Sequence, residues 1–152
     1  LCRDGTVDAE ASASLIAAAR PMKVTFHRAF DVARDPFEAL DAIASLGRDR
    51  LLTSGQAPTA LEGAPLIATL IERAAARLVV MPGGGITARN VDRIVAAAKP
   101  KEIHFAALEL AAGAMGFRRE HVFMGGELRP PEYDRLVTSP AVIRSVMSNS
   151  QG

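Results

Sequence analysis

The chain lacks the features that mark several common classes of protein. It has a single cysteine, Cys2, in 152 residues and no tryptophan, so a disulfide within the chain and a cysteine-rich zinc cluster are both excluded. No apolar run approaches the ~20 residues of a membrane-spanning helix. The 18 basic and 17 acidic residues nearly cancel, which leaves no field that would attract nucleic acid. We therefore expect no membrane or nucleic-acid partner, and the unpaired cysteine favours a cytoplasmic protein.

The chain does contain a large share of apolar residues, and they recur with a regular period. Hydrophobic residues make up 49% of the chain, which suits one packed domain. Four short apolar segments follow one another at spacings of 25 to 27 residues, and we predict them to be strands: 23–27, 50–54, 77–81 and 102–106. Four segments with the apolar spacing of helices lie before and between them: 8–19, 35–47, 64–76 and 87–99. Asp35 and Thr87 are the predicted N-caps of the second and fourth of these helices.

Strand–helix units joined by short loops predict an α/β fold with a parallel sheet. An open doubly wound sheet and a (β/α)8 barrel of the TIM type both fit, and the constant period favours the barrel. Eight units need ~250 residues, so we expect a partial barrel with about the last four β/α units over residues 1–148. Residues 113–131 are predicted to be a long loop, 140–148 a last helix and 149–152 a disordered tail. Because the chain begins with Leu1 rather than methionine, we expect a piece of a longer protein.

A glycine-rich segment after the third predicted strand is the first candidate site. Gly83, Gly84 and Gly85 let the backbone approach an anion closely, and the helix that follows, capped by Thr87, presents its positive N-terminus. In barrels the loops after the last two strands frequently bind phosphate. The alternative is a tight turn that needs positive φ angles.

Other polar residues at the strand ends are also candidates. His27 is suited to act as a general base or a metal ligand, and Arg28 to bind a carboxylate or phosphate. His104 is predicted to approach His27 across the mouth of the barrel, although two histidines make only half of a zinc site. Thr53 and Ser54 are candidates to donate hydroxyl hydrogen bonds to a ligand. Each has a structural alternative: a histidine bonded to the backbone, or a hydroxyl that caps the loop.

Four longer segments of the sequence resemble the copper homeostasis protein CutC family. They are VTFHRAFD at 24–31, LLTSGQ at 51–56, ALEGAPLI at 60–67 and VMPGGGITARN at 80–90. The resemblance covers nearly the whole chain and implies a cytoplasmic (β/α)8 barrel, a role in copper homeostasis and copper as a possible ligand. It also implies that the first four strands, which bring cysteines to the pocket of the family, are not part of this sequence.

The resemblance carries over to the strand-end residues already named, and three positions depart from the family's usual pattern. The residues that carry over are His27, Arg28, Thr53, Ser54, Gly83–Gly85 and His104. The departures are Ala106, Leu108 and Arg119, where the family usually has serine, arginine and asparagine.

Three functional hypotheses remain open at this point. The first is a cytoplasmic protein that binds Cu(I) without catalysis, with His27 and His104 as candidate ligands. The second is a barrel enzyme that binds a small phosphorylated or anionic metabolite at the glycine loop, with His27, Arg28 and His104 as candidate catalytic residues. The third is an inactive or partner-completed half-barrel, for which we expect either a homo-oligomer or completion by the missing N-terminal half. The sequence leaves open whether the protein is an enzyme.

Overall fold

The structure, a computed structural model, describes residues 1–47, 49–119, 121–122 and 132–150. Helices and strands alternate in its first hundred residues, and a two-stranded hairpin and a last helix follow. In chain order the elements are α1 (Ala9–Ala19), β1 (Thr25–Phe26), a 3-10 helix (Arg28–Val32), α2 (Pro36–Ser45), β2 (Arg50–Thr53), α3 (Ala64–Ala74), β3 (Val79–Pro82), α4 (Val91–Ala98), β4 (Leu108–Ala112), β5 (Asp134–Thr138) and α5 (Pro140–Asn149).

The first three strands form a parallel sheet in the order β1–β2–β3. Phe26 pairs with Leu51, and Leu51 pairs with Val80. Each strand is joined to the next through at least one helix, as parallel pairing requires. The α/β class and the parallel sheet predicted from the sequence period are therefore confirmed, as are three of the four predicted strands.

The helix starts follow from local hydrogen bonding, with one correction. The Asp35 carboxylate accepts from the Phe37 and Glu38 amides at 2.8 and 2.7 Å, and this confirms the predicted cap of α2. Thr87 was predicted to cap α4, and this is wrong because α4 begins only at Val91. The Thr87 amide instead donates to Asn90 Oδ1 at 2.8 Å, so a separate turn precedes the helix.

One face of the parallel sheet supplies the core. Leu51 and Val80 on this face are buried in the same cluster as Leu40 of α2, Ile67 of α3 and Ile94 of α4. Along β2 and β3, buried residues alternate with half-buried ones. The half-buried residues belong to the opposite face because side chains alternate along a strand. They are Arg50, Leu52, Val79 and Met81.

The strand predicted over 102–106 is wrong. Only a single bridge forms there, between His104 and Gly83, in which the His104 amide donates to the Pro82 carbonyl at 2.8 Å. The segment lies at the edge of the sheet, and no strand among the described residues pairs with its other side. One bridge is too little to hold five residues in a ladder, since a strand gains its stability from successive pairs.

The chain after residue 107 contains a hairpin that the sequence pattern did not predict. Strands β4 and β5 are antiparallel, with Leu110 opposite Leu136. The predicted loop over 113–131 is irregular at 113–119 and 121–122, and the rest of it lies outside the described residues. Helix α5 confirms the predicted last helix and extends it to Asn149. Of the predicted tail, Gln151 and Gly152 lie outside the described residues.

Candidate functional site

The candidate site lies at the carboxyl ends of the three parallel strands. The segment after β1 carries His27 and Arg28, β2 ends at Thr53 and Ser54, and β3 leads into Gly83. Parallel strands end at the same edge of a sheet, which is where α/β proteins commonly bind ligands. Most of the residues predicted from the sequence are therefore brought to one edge.

The centre of this edge is Asp31, a residue that the sequence analysis did not single out. Its carboxylate accepts a hydrogen bond from Arg28 Nε at 2.6 Å and another from the Thr53 hydroxyl. The Ser54 amide donates to it at 3.1 Å and the Gln56 amide at 3.2 Å. The Asp31 side chain is only 8% exposed. One buried carboxylate thus joins the 3-10 helix after β1 to the loop after β2.

The environment of Asp31 keeps its carboxylate ionised. Burial raises the pKa of the carboxyl, because a charge loses solvation when it is buried. The hydrogen bonds from Arg28, Thr53 and the loop amides lower it by more, so the pKa of Asp31 lies below its ordinary value of 3.8. The group is therefore a permanent hydrogen-bond acceptor near neutral pH and is not suited to act as a proton donor there.

Arg28 extends from this network toward the glycine loop. Its Nε donates to Asp31 and its Nη2 to the Ser54 hydroxyl at 2.7 Å. The remaining nitrogen, Nη1, has no acceptor among the residues that the structure describes. It lies beside Gly84, where a Cβ atom would stand 3.1 Å from it. The Arg28 side chain is 44% exposed and so remains accessible to a ligand.

In the glycine loop one backbone amide pairs with the neighbouring strand, and others donate to no described residue. The Gly83 amide donates to the Thr53 carbonyl at 2.9 Å and so extends the pairing of β2 with β3. Gly84 and Gly85 have φ angles of +117° and +70°, which glycine adopts without strain. The amides of Gly85 and Ile86 donate no hydrogen bond to any described residue. Gly85 is exposed, and Ile86 is 5% exposed. Backbone amides are strong donors that folded proteins usually pair, so these two remain available to a ligand.

Thr53 and Ser54 are placed at the site but point into the network rather than toward solvent. Both are completely buried. The Thr53 hydroxyl donates to Asp31 and accepts from the Gly55 amide at 2.8 Å. The Ser54 hydroxyl accepts from Arg28 and lies 2.6 Å from the Ala57 carbonyl. Their hydrogen-bonding capacity is thus used in holding the loop after β2, which was the structural alternative for these residues.

The two histidines occupy different positions along this edge. His27 follows β1 and begins the 3-10 helix, where its Nδ1 accepts from the Ala29 amide at 3.0 Å; its Nε2 remains for a ligand. His104 pairs with Gly83 and packs against it, since a Cβ on Gly83 would lie 3.3 Å from His104 Cβ. Both residues are exposed, and no contact between the two rings is present.

The described residues do not form a complete copper site. No three side chains of histidine, cysteine, aspartate or glutamate among them are grouped so that they could hold a metal ion. Cys2, the only thiol, is exposed and lies on the segment before α1. A copper ion bound by this part of the chain would therefore need ligands in addition to His27 and His104.

Asp31 lies within the segment 24–31 on which the family resemblance depends, but nothing in its spacing identifies it. It is five residues beyond the last residue of β1, and the sequence does not predict the 3-10 helix that turns it back toward β2. An arginine and an aspartate three residues apart usually form an exposed ion pair on the surface. Only the tertiary fold reveals that this one is buried and central.

A parallel α/β sheet with a polar cluster at its strand ends defines the class of protein, and comparisons with known proteins narrow it. The model of the CutC family matches residues 1–109. The "Copper homeostasis protein cutC homolog" of Homo sapiens is 47% identical over 146 residues, which cover 96% of this chain and 54% of that protein. The CutC family protein of Parabacteroides distasonis is 42% identical, over 95% of this chain and 60% of that protein.

A solved structure agrees with these sequence matches. A crystal structure described as that of a copper homeostasis protein CutC from Streptococcus agalactiae superposes with a TM-score of 0.64 at 32% identity, covering 68% of this chain and 51% of the other. The chain belongs to the CutC family. It spans about half the length of the curated relatives it matches.

Proposed function

We propose that this chain is the C-terminal part of a cytoplasmic (β/α)8 barrel. The parallel sheet, the helices on one of its faces and the membership of the CutC family support this proposal. The half-buried face that carries Leu52 and Met81 would then point into the barrel. Among the described residues, no helix is both long and apolar enough to cross a bilayer.

The function we propose for this chain is a part in copper homeostasis. The observation that carries the proposal is the family membership, together with the names of the human and mouse relatives, "Copper homeostasis protein cutC homolog". Copper is the cargo in this proposal. His27 and His104 are the imidazoles that this part of the chain would contribute, because neutral imidazole nitrogen is a common copper ligand. The remaining ligands would come from outside the described residues.

An anaerobic competition titration of Cu(I) against a calibrated chelator tests this role. We expect the chain to compete with the chelator. We expect a His27→Ala, His104→Ala double variant to bind at least about tenfold more weakly, since losing even an outer-shell partner of a metal ligand commonly costs 10–100-fold. A Cys2→Ser variant is the matched control, because Cys2 is exposed and distant in sequence from both histidines. Equal affinities of the chain and the double variant would contradict the assignment of the histidines. No competition at all would contradict copper binding by this chain.

Binding of a small anion at the glycine loop is a second candidate function, and it does not depend on a reaction after binding. It is favoured by the Arg28 guanidinium beside Gly84 and by the amides of Gly85 and Ile86, which donate to no described residue. A guanidinium and backbone amides are the groups that most often bind phosphate and other oxyanions. Thr87, predicted to take part, is a weaker candidate because its amide already donates to Asn90.

A partial barrel requires a partner to complete it. We propose that this partner is either the N-terminal half of the barrel or a second copy of the chain. Among the described residues, β2 is the strand that pairs with β1, so β1 lies at an edge of the parallel sheet. A cavity of about 440 Å³ lies between α1 and β1, lined in part by Leu15, Val24 and Phe26. A further segment placed there would cover these apolar side chains.

A further inference from the structure

Arg28 is held in one orientation by two hydrogen bonds that its guanidinium donates, one to Asp31 and one to Ser54. Nε donates to Asp31 at 2.6 Å and Nη2 to the Ser54 hydroxyl at 2.7 Å. These bonds fix the plane of the guanidinium, because its nitrogens form a rigid fork. Nη1 is left without a described acceptor and lies beside Gly84. An exposed arginine would otherwise sample many rotamers, and ordering it on binding would cost conformational entropy.

Asp31 is itself immobile, so it is a rigid support for Arg28. Donors from two directions hold its carboxylate: Arg28 on one side, and Thr53, Ser54 and Gln56 of the β2 loop on the other. The Gln56 side chain also ties this loop to the 3-10 helix through bonds to the Phe30 and Ala33 carbonyls at 3.1 and 2.9 Å.

Asp31 carries a negative charge close to the proposed anion site. A carboxylate next to an anion site repels the anion, so charge alone would make Asp31 unfavourable for binding. It favours binding only if holding Arg28 in position contributes more than the repulsion costs. The two effects have opposite signs and can therefore be separated by experiment.

We infer that Asp31 is a positioning residue that holds Arg28 Nη1 beside Gly84, ready for one phosphoryl group that the amides of Gly85 and Ile86 also bind. This inference rests on the second candidate function, a small anion at the glycine loop. A phosphoryl group is the class of ligand chosen because its three terminal oxygens match three sets of donors, whereas a carboxylate offers two. The group is either free phosphate or the phosphate of a small ester.

Titration of the full chain by NMR, followed at the amides of Gly85 and Ile86, tests the inference. The probes are inorganic phosphate, glycerol phosphate and acetate at about pH 8, where the phosphates are doubly charged, with ionic strength held constant by chloride. We expect saturable shifts with phosphate and weaker ones with acetate. Tighter binding of glycerol phosphate than of inorganic phosphate would identify the ester as the source, and the reverse order would identify the free ion.

The variants distinguish positioning from charge and from general stability. We expect Asp31→Asn to weaken phosphate binding about tenfold, the scale of one charge-assisted hydrogen bond. Arg28→Lys should weaken it similarly, because an ammonium lacks the fork. Arg50→Lys is the matched control for Arg28→Lys, because Arg50 donates through Nε and Nη2 to Glu102 at the opposite end of β2. It should lower stability and leave affinity within about twofold, since Asp31 and Arg28 keep their contacts.

The possible results separate the inference from the candidate function beneath it. Unchanged or tighter binding by Asp31→Asn, with binding intact in the parent chain, would overturn the positioning role and leave the anion site in place. No saturable shift in the parent chain would overturn both. If Asp31→Asn does not fold, the Arg28 Nε–H resonance of the parent decides. We expect slow exchange with solvent and a shift on adding phosphate; fast exchange without a shift would contradict the inference.

Discussion

The sheet region, residues 25–98, and the described part of the C-terminal region, residues 108–119, 121–122 and 132–150, both contain strands and helices but bury them very differently. Leu51 of β2 is completely buried, whereas the cross-strand pair Leu110 and Leu136 of the hairpin is 61% and 62% exposed. The first region packs three helices on its sheet. Strands β4 and β5 pair mainly with each other. Strand pairing alone therefore does not form a core; a layer on the sheet does.

The same contrast explains where the candidate site lies. Asp31 is buried and accepts several hydrogen bonds because the sheet region brings three strand ends and their loops together. The hairpin has polar residues too, but most residues of β4 and β5 are exposed. A preorganised polar site needs a rigid scaffold around it, and only the sheet region provides one.

The largest expected difference between the two regions is in the cost of truncating a leucine. Leu51→Ala should lower the free energy of unfolding by about 3 kcal/mol, because it leaves a cavity in the core. Leu136→Ala should change it by less than about 0.5 kcal/mol. Urea unfolding of both variants, at two protein concentrations, measures this. Equal losses, or a midpoint that depends on concentration, would mean that a second copy covers the hairpin.

Glycine replacements should give a smaller but similar contrast. A Cβ on Gly63 would lie 1.9 Å from the Ser54 carbonyl oxygen, whereas a Cβ on Gly116 would meet nothing within 4 Å. Gly63→Ala should therefore push the β2 loop away and cost about 2 kcal/mol of stability. Gly116→Ala should be nearly neutral. Thermal unfolding compares the two, and a neutral Gly63→Ala would show that the loop after β2 adapts easily.

The smallest effect is a pH dependence carried by Asp31. Because the pKa of Asp31 is lowered in the folded chain, its contribution is present above the unfolded value of 3.8 and is lost as the pH falls through the folded value. The stability difference between the parent and Asp31→Asn should be on the order of 1 kcal/mol near neutral pH. It should shrink as the solution is acidified below about pH 4. Urea unfolding across this range measures it; a difference independent of pH would contradict an ionised role.

Local features of the fold were predictable in most places where the cause was local. The caps of α1 and α2 depend on Asp8 and Asp35, which bond to amides two or three residues away. The start of α4 was not predictable in this way, because Asn90 and Thr87 form a turn that competes with the expected cap. The prediction of a strand at 102–106 was wrong because a strand needs a neighbouring strand to pair with, and the apolar pattern of the segment does not show whether one is present.

The candidate site was predictable only in part. Residues that follow strands directly, such as His27 and Ser54, reach the same edge because parallel strands end together. Asp31 could not be predicted, since its role depends on a 3-10 helix and on donors more than twenty residues away. The use of the Thr53 and Ser54 hydroxyls within the protein likewise follows from their burial, which no local pattern specifies.

The sequence by itself determined the α/β class, the parallel order of three strands and the positions of most helices, because these follow from periodicity and from caps formed by neighbouring residues. It also determined the membership of the CutC family, because similarity is compared residue by residue along the chain. The tertiary structure alone decided which polar groups are satisfied and which are left over. Burial and long-range hydrogen bonds select Asp31 as the centre of the site and leave Arg28 Nη1 and the amides of Gly85 and Ile86 without a partner among the described residues. That selection depends on distances between segments far apart in the chain, and those distances exist only once the helices have packed on the sheet.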